Sequence, residues 1–145
     1  MGNKYLILLL LVFPLMFSSC REETDGGWPP FQWTVESISS PEDISVGVEK
    51  NYYVYIKSKV DKGEVVMTVS NYTPWLAESI IDMGAGEEVI KPDSHLLSCE
   101  WGKVRIEGHT VSLTLTDFSE KYKEGKIKVY IQDGDAGSVL ILERE

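Results

Sequence analysis

The stretch Trp101-Gly102-Lys103-Val104-Arg105-Ile106-Glu107-Gly108-His109-Thr110-Val111-Ser112-Leu113-Thr114-Leu115-Thr116 decides the fold. Val104 and Ile106 alternate with Lys103 and Arg105. Val111, Leu113 and Leu115 alternate with Ser112, Thr114 and Thr116. A strand sends successive side chains to opposite faces, so this period of two marks strands buried on one side. Between the runs stands Glu107-Gly108-His109, where glycine accepts the positive φ of a tight hairpin.

Outward from this hairpin the same pattern repeats. In Asn51–Lys57 one face carries Tyr52, Val54 and Ile56, and the other carries Tyr53, Tyr55 and Lys57. Val65, Met67 and Val69 form the expected inward set of Gly63–Ser70, and Ile127, Val129 and Ile131 alternate with Lys128, Tyr130 and Gln132. Gly137–Glu143 is apolar on both faces, which predicts a central strand or one with a second covered face. Lys59–Gly63 and Asp133–Gly137 read as connections. Trp75–Asp82 fits one or two helical turns, or equally a strand and loop. No window after the leader carries a helical stripe of useful length. The expected fold is all-β, a Greek-key β-sandwich of about seven to eight strands, with a small closed barrel as the competing architecture.

Composition narrows the function classes. The chain has 145 residues, with 14 basic and 23 acidic side chains and a net charge of -9. Such a surface repels phosphate backbones, so nucleic acid is not an expected partner. The length suits one domain.

The leader gives an address. Lys4 precedes the apolar run Tyr5–Phe17, and Ser18-Ser19-Cys20 follows it. A basic start, a short apolar core and a small-residue exit make a secretory signal. The run contains Pro14 and falls short of the ~20 residues of a spanning helix, the reading set against it. The stretch resembles a bacterial lipoprotein signal, although Phe17 stands where that family usually has a smaller aliphatic residue. The resemblance implies removal of residues 1–19, lipidation of Cys20 with acyl chains such as palmitate, and a lipid-anchored place in the bacterial cell envelope, at the outer membrane. The membrane, through Cys20, is then one expected partner. Residues 20–30, acidic and rich in Gly and Pro, suit a tether, and 31–145 form the domain. Trp28 or Trp33 is expected to cover one end of the sheet.

Two cysteines are too few for a disulfide framework. Lipidation would consume Cys20 and leave Cys99 as a buried, inert thiol on a strand edge. A Cys20–Cys99 bridge in a non-lipidated secreted protein is the alternative.

The second half is similar to the immunoglobulin-like β-sandwiches of the BACON type, found in surface and secreted proteins of Bacteroidetes. The residues that carry the likeness are Asn71-Tyr72-Thr73-Pro74-Trp75, Cys99–Val104, Ile106–Leu113, Glu124–Ile131 and Gly137–Leu142. It spans roughly residues 64 to 142. This sequence departs from the family by ending its last strand Leu142-Glu143 without the usual Gln. It also has Thr116-Asp117-Phe118-Ser119 where the family has an Asn. The resemblance implies an immunoglobulin-like sandwich, and either carbohydrate or mucin binding or a spacer role.

Aromatic side chains are the strongest candidates for a site. An exposed Tyr or Trp can stack on the apolar face of a sugar ring and offer a hydrogen bond as well. Tyr53 and Tyr55 share a face with Lys57 and are the expected ligand-stacking pair. Trp75, just after Pro74, is a further stacking candidate at an edge or loop. Trp101 reads as core. The carboxylates of Asp133-Gly134-Asp135 fall short of the six to eight oxygens that calcium takes, so a solvated turn is the simpler reading. No HExxH, GxSxG, phosphate-cradling loop or zinc-spaced Cys/His set is present. The expectation is therefore a non-catalytic module with no cofactor, no metal site and no catalytic residue. It would serve as a structural or protein-interaction accessory on the cell surface. A glycan-binding module is the alternative, and a hydrolase the remote one.

Mass spectrometry of the membrane fraction should find a diacylated or triacylated Cys20 at the mature N-terminus. Cys20→Ser should release the protein from that fraction, because two or more acyl chains are what make anchoring stable. A soluble mature chain that begins elsewhere would refute the lipid anchor.

Overall fold

The computed structural model describes residues 28–145 apart from Ala85. The signal segment 1–19, Cys20 and the tether before Trp28 lie outside the described residues. The strands are β1 (Trp33–Ile38), β2 (Ile44–Glu49), β3 (Tyr53–Ser58), β4 (Gly63–Val69), β5 (Trp75–Asp82), β6 (Glu87–Ile90), β7 (Leu96–Cys99), β8 (Gly102–Glu107), β9 (Thr110–Leu115), β10 (Lys126–Asp133) and β11 (Ala136–Arg144). A single 3₁₀ turn occupies Glu120–Tyr122.

The strands make two sheets, one of five in the order β1-β4-β9-β8-β7 and one of six in the order β2-β3-β11-β10-β5-β6. Each remains open, so the architecture is a sandwich and not a barrel. The run β1-β4-β9-β8 follows the A-B-E-D order of an immunoglobulin sandwich, and β5-β10-β11 follows C-F-G. Strands pair antiparallel except β3 with β11, which run parallel from Val139↔Tyr53 to Arg144↔Ser58.

The inward sets read from the alternation are the core. Val54, Ile56, Val65, Met67, Val69, Val104, Ile106, Val111, Leu113, Leu115, Ile127, Val129 and Ile131 are all buried. β11 lies between β3 and β10, and Leu140, Ile141 and Leu142 are buried in succession. Trp101 is wholly buried, and a methyl group on the neighbouring Gly102 would collide with the Thr114 carbonyl oxygen.

The structure has more strands than the seven to eight expected. The additional ones are β1, β2, β6 and β7, which are the four sheet edges. An edge strand buries little: β6 has no buried residue, and β1 has only its two ends partly covered. β1 and β6 thus carry no period-two signal, and the four-residue β7 has Leu97 alone inward, whereas β2 does alternate, through Ile44, Val46 and Val48. Trp75–Asp82 resolves as a strand. Its register slips between Tyr130 and Ile131, which pair with Glu78 and Leu76 and leave Ala77 as an extra residue. This β-bulge breaks the alternation and gives the sequence its helix-like spacing.

The fold has two poles. At one, Phe31 is fully buried, with its ring centroid 4.9 Å from Tyr72 and 6.0 Å from Trp33. Phe31 thus plugs the end, Trp33 is half-buried beside it, and Trp28 is exposed. Hydrogen bonding reaches back into the segment read as tether: Tyr72 Oη donates to the Pro29 carbonyl at 2.8 Å and Asn71 Nδ2 to that of Pro30 at 2.9 Å. The C-terminus leaves at the opposite pole, where the Glu145 N–H donates to Ser58 O at 2.8 Å and Arg144 pairs with Asp61 at 3.3 Å.

The hairpins use positive φ sparingly. Gly108 (φ 58) and Gly134 (φ 60) supply it for β8–β9 and β10–β11. Between β2 and β3, Lys50 (φ 52) and Asn51 (φ 58) must adopt it without glycine, while Tyr52 N–H donates to Glu49 O at 3.2 Å. Asparagine tolerates this conformation and lysine does not. Lys50→Gly should raise stability by about 0.5–1 kcal/mol, the relief of left-handed strain less the added unfolded-state entropy. A higher urea midpoint at unchanged slope is the expected reading, and a lower midpoint would refute the strain.

Candidate functional site

The outer face of the six-stranded sheet gathers the sequence-predicted stacking residues. Ladder register lines its outward side chains into rows that cross the strands. One row runs Glu49–Tyr53–Val139–Tyr130–Glu78. The next runs Gly47–Tyr55–Ile141–Lys128–Ile80–Val89. The third begins Ser45–Lys57–Glu143. It continues into β10 through the Lys126–Glu143 ion pair at 3.1 Å.

Tyr53 and Tyr55 stand two residues apart on β3, so both point outward. Their ring centroids are 6.4 Å apart with planes tilted by 37°. Tyr53 is 43% exposed and Tyr55 half-buried. Opposite Tyr55 on β2 is Gly47, and a Cβ added there would meet nothing within 4 Å. The missing side chain leaves a trough of about 410 Å³ beside the ring, lined by Ser45, Val46, Gly47, Tyr55 and Lys57. Burial, and then the Glu49 carboxylate, push the Tyr55 phenol above its ordinary range. A phenol is in any case protonated at neutral pH, so Tyr55 can donate a hydrogen bond.

Trp75 joins the same face but not the same spot. It is 37% exposed and pairs with Gln132. β10 and β11 lie between its strand and β3, which sets it on the order of 14 Å away across the sheet. The intervening surface is apolar, with Val139, Ile141 and Tyr130 in the rows above. Tyr130 is a residue that sequence reasoning passed over. Its signal was present, since it alternates with buried Val129 and Ile131 as Tyr53 alternates with Val54.

Charge on this face is uneven. Glu143 is shared between Lys126 at 3.1 Å and Lys57 at 3.9 Å. Lys128, between Ile141 and Ile80 in the middle row, has no carboxylate within ion-pair distance among the described residues. Glu49 and Glu78 stand at the ends of the tyrosine row.

A second concavity opens on the flank, between edge strands β6 and β7. It holds about 380 Å³ and is lined by Ile81, Met83, Ile90, Cys99, Trp101 and Tyr122 among others. Lys121 bridges to Glu100 and lies 5.0 Å from the Tyr122 ring. The Trp101 indole N–H is buried without a hydrogen-bond acceptor. Trp101 is therefore core, as its sequence context indicates, and offers no stacking face.

The remaining chemical candidates are committed elsewhere. Asp133 accepts the Thr73 N–H at 3.0 Å, and no group of three His, Cys, Asp or Glu side chains converges among the described residues. His109 Nδ1 lies 2.6 Å from the Tyr72 carbonyl, and His95 Nδ1 lies 2.8 Å from Ser94 Oγ. Cys99 is half-buried on edge strand β7, not fully buried as its sequence context led us to expect. An edge strand has a neighbour on one side only, which leaves part of the thiol uncovered. Cys20 lies outside the described residues, so a bridge to Cys99 is not described.

No protein-family model matches the chain. No curated protein matches it either. Among solved structures, an NMR structure of a protein from Bacteroides thetaiotaomicron is similar, with a TM-score of 0.53 at 15% identity. The match covers 83% of this chain and 92% of that one. At that identity the likeness is one of fold: both are β-rich domains.

Burial, and then Glu88, raise the Cys99 thiol above its ordinary pKa. The reactive thiolate is then scarce at pH 8. Iodoacetamide should modify Cys99 several-fold more slowly than an unhindered thiol at pH 8, with the rate climbing above pH 9. Peptide mapping that shows ordinary reactivity at pH 8 would contradict this assignment.

Proposed function

We propose that this protein is a non-catalytic, lipid-anchored module of the bacterial cell envelope that binds carbohydrate through the Tyr53–Tyr55 face. The observation that carries the reading is the juxtaposition of two outward tyrosines with the Gly47 trough. Flat aromatic rings beside an open channel suit a pyranose, whose C–H face stacks on the ring while its hydroxyls meet polar groups at the margin. Ser45, Lys57, Glu49 and the protonated Tyr55 hydroxyl supply those groups. The BACON-type likeness supports the same reading, since that family is associated with carbohydrate or mucin. The lipoprotein-like leader ending at Cys20 supports the outer-membrane location. The committed histidines and the raised thiol of Cys99 favour recognition over catalysis.

The spacer or protein-interaction role predicts aromatics that are packed away or scattered singly. Trp101 and Phe31 fit that description, and Tyr53 and Tyr55 do not. This contrast moves the weight from the accessory role to the binder.

A glycan array and affinity electrophoresis with the full chain test the proposal. Tyr53→Ala/Tyr55→Ala should weaken binding about tenfold or more, equivalent to roughly 1.4 kcal/mol. Gly47→Gln should fill the trough and weaken binding while leaving the melting temperature within about 2 °C, because the added side chain meets open space. Silence across the array, or binding untouched by both variants, would return the module to a spacer role.

A further inference from the structure

A sheet edge is a row of free backbone donors and acceptors, and folds that stay alone block each one. Three of the four edges here are blocked. β1 carries a bulge, with Glu36 as the extra residue between Val35 and Ser37. β6 is four residues long, and its Glu88 pairs with Ile81, which pairs with buried Ile127, so the carboxylate stands on the core-facing side. β7 is also four residues long, and the bridge Asp93↔Leu96 folds the preceding chain back onto its start. β2 has no such device, and no strand among the described residues covers it. Its six residues keep an unbroken register with β3 and carry no charge before Glu49. We infer that β2 is an interaction surface for a second copy of this chain, which pairs its own β2 there, antiparallel and centred on Gly47.

Parity assigns the free groups. The Val139 N–H donates to Tyr52 O and the Glu145 N–H to Ser58 O, both at 2.8 Å, so the even-numbered residues from Tyr52 to Ser58 turn their backbone toward β11. Tyr53, Tyr55 and Lys57 therefore turn theirs toward β2, where Glu49, Gly47 and Ser45 receive them. This leaves the N–H and C=O groups of Val46 and Val48 pointing off the edge. Ile44 points the same way, but its N–H already donates to Ser40 O at 2.8 Å. The flank beside these groups is apolar. Val46 and Val48 pair with buried Ile56 and Val54, and Val35 of β1 pairs with buried Met67, so all three face the interior of the sandwich. Val48 is nevertheless 41% exposed and Val35 37% exposed.

Symmetry restricts how β2 meets itself. A two-fold axis normal to the sheet sets core-facing residues opposite core-facing ones, so it passes through a residue paired with its own copy. Centring on Val46 would set Glu49 opposite the other copy's Asp43, on both sides of the axis, and like charges directly opposite are destabilising. Centring on Gly47 sets Glu49 opposite Ser45 and Val46 opposite Val48. The residues with free groups then exchange hydrogen bonds, and their apolar side chains meet on the core side. Gly47 faces Gly47 in a non-hydrogen-bonded pair, where Cα atoms approach to about 4.5 Å, and neither carries a side chain that hinders the approach. Backbone polarity, apolar contact and charge thus agree on one self-complementary register. The overlap, Ser45–Glu49, is short, which places this contact at the small end of specific interfaces and makes it concentration-dependent.

Disulfide trapping in intact cells tests this pairing, with the full chain in a Cys99→Ser background and that background alone as the blank. Gly47→Cys adds a side chain that meets nothing of its own chain within 4 Å. Under mild oxidation roughly half or more of it should run as a covalent homodimer, because the facing Cα atoms fall within the span of a disulfide. Ser45→Cys should stay below roughly a tenth, because the two copies of that residue lie about 13 Å apart in this register. Val46→Pro, added to Gly47→Cys, should abolish the dimer band and leave the melting temperature within about 3 °C, since proline there removes only an edge N–H. Val48→Lys, at a position already 41% exposed, should abolish it too, and it decides the matter if the proline variant unfolds. A monomeric Gly47→Cys, or equal trapping of Ser45→Cys, would overturn the pairing. So would a dimer band that survives in either edge variant while that variant stays folded. Gly47→Cys trapped on a different protein would overturn the second copy as the occupant of this edge.

Discussion

The parallel ladder between β3 and β11 is the contact on which the rest depends. Val139↔Tyr53 and Arg144↔Ser58 join the last strand to the third, across most of the described chain. Antiparallel neighbours here are mostly hairpins that can form locally, and a parallel pair needs a long crossover. Without it, β2 and β3 would have no sheet to join, because β3 is their link to β11. The ladder also brings Tyr55 beside Ile141 and Lys57 beside Glu143. Packing and candidate recognition surface are therefore set by the same hydrogen bonds.

That ladder is reinforced from both faces. Inward, Val54, Ile56, Leu140 and Leu142 are buried. At its first pole, Trp33 Nε1 donates to Ser138 Oγ at 3.0 Å, and Ser138 Oγ donates to the Tyr52 carbonyl at 3.0 Å. One hydroxyl thus ties the first strand of the five-stranded sheet to the ladder of the other sheet. Outward, Glu143 holds Lys57 and Lys126, a surface arrangement worth little in stability but useful in fixing side-chain positions.

What the sequence disclosed depended on burial. Strands with a neighbour on both sides and one face in the core wrote their alternation plainly, as Val104/Ile106 and Val111/Leu113/Leu115 did. β11 was legible for a different reason: it lies between β3 and β10, so even its outward Ile141 is shielded by the side chains of both neighbours. β1, β6 and the short β7 were hard to read because few of their residues meet the core, whereas β2 carried an alternation, Ile44, Val46 and Val48, that was passed over. β5 was ambiguous because Ala77 shifts its phase midway. The same logic governs the candidate site. Tyr53 and Tyr55 could be placed together because residues two apart on a strand share a face. The setting of the tyrosines beside β11 could not be seen, because it rests on the parallel pairing of two strands remote in sequence. Gly47 gave no warning either: a glycine in a strand signals missing side-chain volume only when its cross-strand partner is known.

The opposite placement of the chain's two poles has a mechanical consequence. Phe31 lies at one and Glu145 at the other, so tension between them runs along the strands. β11 is hydrogen-bonded on both sides, to β3 and to β10. Force along its axis loads those bonds in shear, all at once, where a perpendicular pull would open them one after another. The strand geometry therefore resists a pull along the strands better than one across them. The tyrosine face is a side wall parallel to the line of force, so tension does not pry it open.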